Sequence, residues 1–253
     1  LSQQSNMSSD NKKNKTWILV VIGIIVVAFI GVSVIPFLNN QTSPQQATNP
    51  SSSPAQAHPE QENLADQARG YEAVLEKEPE NESALQGLIE VRIQQGDIEG
   101  ALPPLEKLAD LNPEQQAYRI LLAQAKQQVG DLEGATDAYQ SILDNQPGDP
   151  RALQGLVDLL LQQNRPEAAI GELKDTLDLA ERGDQEINTT SIKLLLAQVY
   201  GRTEKFDGAI ALYEEVADDN PGDFRPVLGQ ALVQQRKGNE DAAKPLYEKA
   251  FDL

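Results

Sequence analysis

Pro79, Pro113 and Pro147 fall 34 residues apart, and the residues between them recur with the same period. Gly96-Asp97 returns as Gly130-Asp131, Ala101 as Ala135, Leu88 as Leu122 and Leu105 as Tyr139. A fixed period of this length is the mark of a stacked repeat protein, in which each unit is one helix–turn–helix. The Gly-Asp pair is expected to open a tight turn and cap the second helix of the unit. The proline ends that helix and begins the next unit. The alanine lets two helices approach closely. The bulky residue four places later shares its helical face and fills the gap between units.

These residues resemble the tetratricopeptide repeat family. With each proline at position 32 of a 34-residue unit, the family expects small residues at 8 and 20, glycine or similar at 15 and a bulky residue at 24. Ile89, Ala123, Val157, Ala197 and Ala231 stand at position 8, and Ala101, Ala135, Ala169, Ala209 and Ala243 at position 20. Gly96, Gly130, Asn164 and Gly238 suit position 15, whereas Glu204 departs from it; Leu105, Tyr139, Leu173, Tyr213 and Tyr247 fill position 24. The resemblance runs over residues 63–253 and implies an all-α fold. The expected form is a right-handed solenoid of helical hairpins, about five repeats behind an N-terminal capping helix at Asn63 to Lys77.

The chain has 253 residues and a net charge of −18; the residues before Gln61 are slightly positive, so all of the negative excess lies in the repeats. An acidic surface argues against nucleic acid, whose phosphates need a basic stripe. The absence of cysteine excludes disulfides, zinc–thiolate sites and cysteine nucleophiles. Residues 1–15 read as a basic tail carrying Lys12, Lys13 and Lys15. Residues 16–38 carry no charge. As a helix they would reach about 34 Å, enough for a hydrocarbon core of about 30 Å. A cleaved signal peptide would have a shorter apolar region and a small-residue cleavage site, which Val34-Ile35-Pro36-Phe37 does not offer. A retained single-pass anchor is therefore expected, so that the whole reads as a solenoid preceded by a single transmembrane helix. The lysines before it hold the N-terminus in the cytoplasm and send the repeats to a periplasm or organelle lumen. Residues 39–62, rich in Asn, Gln, Ser, Thr and Pro, read as a disordered linker. His58, the only histidine, has no companion ligand there and suggests no metal site.

Two irregularities stand out in the repeats. Pro103 and Pro104 fall inside an expected helix, so a kink or a late helix start is predicted. Between Pro147 and Pro221 the period gains six residues, near Arg182 to Thr190, which predicts a longer loop or a partner contact. The final repeat begins at Phe224, and Leu246 and Phe251 would need a cap, a second copy or a partner over them.

No Ser-His-Asp set and no phosphate-cradling glycine loop occurs, so no enzyme, catalytic residue, cofactor, metal or small-molecule substrate is expected. The resemblance implies a concave surface at positions 2, 5, 9, 12 and 13 of each unit's first helix. Early in the chain those places hold Gln86, Glu90, Gln94, Ile120, Gln124 and Gln128, then Gln154, Asp158 and Leu161. The Lys/Asn set with which one subclass grips a carboxylate terminus is missing. The later surface turns apolar and basic. Leu194, Gln198, Arg202, Arg225, Leu228, Leu232 and Arg236, with Arg151, are the candidate protein-binding residues, the leucines as anchors. The arginines either hold an acidic polypeptide segment or pair with neighbouring carboxylates. The anchor-plus-repeats layout resembles accessory subunits of the Sec translocon, cytochrome c maturation chaperones and photosystem assembly factors. It implies a membrane-tethered protein-binding scaffold that assists assembly or biogenesis of membrane or exported complexes. A structural subunit of a stable envelope or membrane complex is the alternative. The expected partner is a polypeptide client or membrane-complex subunit.

Overall fold

The computed structural model describes residues 59–183 and 187–253. The basic tail, the anchor at residues 16–38, His58 and nearly all of the linker lie outside the described residues. Among the described residues no helix is long and apolar enough to cross a membrane.

Eleven helices, and no strand, make up the described residues. The chain divides into two compact units, residues up to Ala135 and residues from Thr136 onward. The first holds α1 (Pro59–Leu75), α2 (Glu82–Gln94), α3 (Ile98–Leu111), α4 (Gln116–Val129) and the start of α5 (Leu132–Leu143). The second holds the rest of α5 and α6 (Pro150–Gln162), α7 (Pro166–Arg182), α8 (Thr189–Arg202), α9 (Phe206–Asp219), α10 (Phe224–Arg236) and α11 (Glu240–Asp252). Within each unit, helices adjacent in sequence pack on one another.

The repeat chemistry works as the spacing predicts. Every residue at positions 8 and 20 is buried, whether it is alanine, Ile89 or Val157. Asp97 caps α3 by accepting from the Gly100 amide at 2.9 Å, and Asp131 caps α5 from the Gly134 amide at 2.9 Å. The residue before each cap turns left-handed, with φ of 75° at Gly96 and 86° at Gly130. Asn164 at 57° and Glu204 at 61° adopt the same conformation, so the turn survives the loss of its glycine. In the first unit Leu85, Ile89, Leu105, Leu108, Tyr118 and Leu121 share one core. In the second, Leu194, Ala197, Ala209, Tyr213, Val216 and Val233 form another.

Three expectations are corrected. Of the two alternatives at Pro103 and Pro104, the late start is the one corrected, because helix α3 begins on schedule at Ile98 and runs through both prolines. Its Asp97 cap and the burial of Pro104, Leu105 and Leu108 against neighbouring helices outweigh two missing N–H donors. Helix α1 begins at Pro59, so the last residues assigned to the linker are helical; proline suits a first helical position, and Glu62 lies near the positive end of the helix. The extra residues near Arg182 to Thr190 partly lengthen α7, which ends on left-handed Gly183, and Asn188 then caps α8 through the Ser191 amide at 3.1 Å. Residues 184–186 of that segment lie outside the described residues.

Candidate functional site

In the second unit the first helices of successive repeats touch, α6 against α8 and α8 against α10. They line a groove of about 640 Å³. Seven of the eight candidate residues line it: Leu194, Gln198 and Arg202 from α8, and Arg225, Leu228, Leu232 and Arg236 from α10. Arg151 does not. It sits exposed at the start of α6, and Gln154, three residues on, takes the place in the groove.

The leucines are not equivalent. Leu194 is 7% exposed and belongs to the core with Ala197, Tyr213 and Val233, so its apolar surface is already spent. This corrects its reading as a free anchor. Leu228 is half-buried and Leu232 is 48% exposed, and these two supply the apolar surface a ligand would cover.

The arginines divide as well. Arg202 Nη1 lies 3.1 Å from Asp158 Oδ1, and Asp158 Oδ2 also accepts from Gln154 Nε2 at 2.7 Å. Arg225 forks onto Asp223, with Nε 2.9 Å from Oδ1 and Nη2 2.6 Å from Oδ2. The same carboxylate caps α10 by accepting from the Arg225 amide at 2.9 Å. The side-chain bond from Arg225 is the chief reason the Asp223 carboxyl falls below its ordinary pKa, and Asp223 in turn raises that of Arg225. Arg236 and Arg151 have no ion pair among the described residues, and Arg236 is the unpaired cation in the groove. Internal pairing thus describes Arg202 and Arg225, and charge left over for a ligand sits on Arg236.

Sequence reading missed six groove residues, Ser191, Leu195, Gly201, Tyr213, Gly229 and Val233, of which Tyr213 and Gly229 form a couple. Tyr213 was read only as the bulky residue at position 24. Its ring lies where a side chain on Gly229 would be, so any Cβ there would run into the ring. The signal was present: Tyr71 with Gly87 and Tyr139 with Gly155 make the same couple, a tyrosine in one repeat against a glycine at position 6 of the next. Burial pushes the Tyr213 hydroxyl up to about 12 and, with the nearby charge of Asp158, that of Tyr139 to about 12 also. Both remain neutral donors across the ordinary pH range.

Residues 126–189 and residues 194–252 each match a family model described as tetratricopeptide repeat. Over those residues the chain carries tetratricopeptide repeats. It is 28% identical over 180 residues to protein SLOW GREEN 1, chloroplastic, of Arabidopsis thaliana, a match that covers 71% of this chain. The match spans 57% of the length of that relative. Among solved structures the fold is similar to a tetratricopeptide repeat protein from Parabacteroides merdae, with a TM-score of 0.51 and 19% identity over 76% of this chain and 74% of that one. Yeast Tom70 gives a TM-score of 0.51 and 18% identity over 74% of this chain and 39% of that one. At these identities the likeness concerns the fold. Such repeats are consistent with a protein-binding scaffold.

Proposed function

We propose that the groove of α6, α8 and α10 binds an extended polypeptide segment that carries both apolar and acidic side chains. The observation that carries this is the juxtaposition of exposed Leu232 and half-buried Leu228 with unpaired Arg236 in one concave surface. Buried apolar anchors supply most of the energy at such a surface, and charge sets partner choice and encounter rate. Arg202 and Arg225 add positive charge in the same groove while holding their own carboxylates.

The whole chain then serves as a scaffold tethered by residues 16–38, with its repeats across the membrane in a periplasm or organelle lumen. There it assists assembly or biogenesis of a membrane or exported complex. The uncharged run at 16–38 and the lysines before it support the tether. The chloroplast placement in the name of the Arabidopsis relative supports a plastid setting. Two measurements test this. A reporter that works only outside the cytoplasm, fused after Leu253, is expected to be active, and a signal confined to the cytoplasm overturns the orientation. Affinity purification of the full chain is expected to return several weakly held polypeptides. A single stoichiometric partner would point instead to a structural subunit.

A further inference from the structure

Position 24 of one repeat and position 6 of the next follow a rule. Where the first is tyrosine the second is glycine, as in Tyr71/Gly87, Tyr139/Gly155 and Tyr213/Gly229. Where the first is leucine the second is leucine, as in Leu105/Leu121 and Leu173/Leu195. Both couples fill the same space between repeats, so packing alone does not require the tyrosine. What the tyrosine couple adds is a hydroxyl.

Of the three tyrosine couples, Tyr213/Gly229 is the one whose members both line the groove. Two other tyrosines spend their hydroxyls inside the protein. Tyr118 takes a bond from Gln86 Nε2 at 3.1 Å, and Tyr247 donates to Gln235 Oε1 at 2.7 Å. The Tyr213 hydroxyl has no such partner among the described residues. It is not sealed off either, because the only fully buried side-chain polar atom lacking a partner among the described residues is Arg92 Nε. Tyr213 as a whole is 4% exposed, but it lines the groove, and its incompletely buried hydroxyl is the group it can present there. Gln198 is exposed and likewise has no hydrogen-bond partner among the described residues.

We propose that Tyr213, seated against Gly229, is a reader of main chain, in which its hydroxyl donates a hydrogen bond to a backbone carbonyl of the bound segment. Gly229 makes room for the ring, since any Cβ there would run into it, and so lets the tyrosine sit between α8 and α10. An extended segment sends its side chains to either side, apolar ones towards Leu228 and Leu232 and acidic ones towards Arg236. Its carbonyl then faces the floor. Recognition through main chain makes the groove tolerant of sequence, and the leucines and Arg236 select composition. A donor that stays neutral to about 12 does not lose this bond in any ordinary compartment. The inference rests on the groove reading above and adds the group that orients the ligand.

The test uses the full chain in detergent and a fluorescent peptide of alternating leucine and aspartate. Its ends are acetylated and amidated so that no terminal carboxylate contributes. Tyr213→Phe is expected to weaken binding roughly three- to tenfold, the worth of one neutral hydrogen bond, with thermal midpoint and helicity unchanged. Tyr139→Phe, the same couple outside the groove, is expected to bind as wild type. With tyrosine labelled at carbon ζ, the signal that disappears in Tyr213→Phe should be the one that shifts on adding peptide. Unchanged affinity in Tyr213→Phe, or equal weakening in Tyr139→Phe, overturns the reader. If Leu228→Glu abolishes binding in that case, the groove reading stands without it. Failure of the wild-type chain to bind the peptide overturns both.

Discussion

Two first-helix faces share one frame and do different things with it. In α2 and α4, Gln86 donates to Tyr118, Gln94 donates to Glu90 at 3.2 Å, and Ile120 is buried. In α8 and α10 the corresponding positions hold buried Leu194 and Arg202 paired with Asp158, and also Gln198, Leu228, Leu232 and Arg236, which have no hydrogen-bond or charge partner among the described residues. The small buried residues at positions 8 and 20 are equally well packed in both units. The repeat therefore sets where a surface can form. Capacity to bind depends on which groups that surface leaves unsatisfied.

The largest effect should come from forcing one kind of inter-repeat couple into the other. Gly229→Leu drives a side chain into the Tyr213 ring and should cost about 1–3 kcal/mol, as overpacking generally does. Adding Tyr213→Leu recreates the leucine couple of Leu105/Leu121 and should recover most of that loss. Urea unfolding of the wild type, both single variants and the double variant measures the coupling. Strictly additive losses would show that the couple is not a packing unit.

Next comes the contrast between the faces. Leu228→Glu places an unpaired charge in the groove and should lower affinity for the acidic-apolar peptide by more than tenfold, about 1.4 kcal/mol or more. Gln124→Glu, at the place in α4 that Leu232 fills in α10, should leave affinity within twofold. Arg236→Glu should chiefly slow association and flatten its dependence on salt, as loss of a steering charge does. Stopped-flow fluorescence separates these outcomes. If Gln124→Glu is the damaging change, the two faces have been assigned the wrong way round.

The frame was legible because a 34-residue period reports which residues face the core in every copy. Ala101, Ala135, Ala169 and Ala209 are buried wherever the period puts them. Partnerships across helices were not legible. Asp158 and Arg202 stand 44 residues apart, and no local pattern announces that the first occupies the second. Leu194 shares its position with Leu228, yet one is core and the other half-exposed, because burial depends on what the neighbouring repeats place against each. Pro103 and Pro104 look like breakers when judged by local propensity, and tertiary packing overrides it.

A smaller effect separates the left-handed turns. Glu204 holds φ at 61° without the freedom of glycine, whereas Gly96 takes 75° at no steric cost. Glu204→Gly should therefore stabilise the second unit by about 0.5–1 kcal/mol. Asn164→Gly should change little, since asparagine tolerates this region. Thermal unfolding of the two variants checks the ranking, and a destabilised Glu204→Gly would mean that the glutamate side chain contributes more than its backbone costs.

The smallest difference lies in two helix caps. Asn81 caps α2 by accepting from the Ala84 amide at 3.0 Å, and an amide does not titrate. Asp223 caps α10 and has its pKa lowered, first by the side-chain bond from Arg225. A carboxyl whose folded pKa lies below its unfolded value adds stability that is fully present above the ordinary carboxylate range. That stability is lost as pH falls through the lowered value. The Arg225 side chain is 55% exposed, so solvent screening keeps the contribution small. As pH falls through that window, hydrogen-exchange protection at the Arg225 amide should drop relative to protection at the Ala84 amide. In Asp223→Asn, which keeps a capping oxygen and loses the charge, the two should stay in step. Equal behaviour of both amides in the wild type would mean that the Asp223 charge does not help to hold the start of α10.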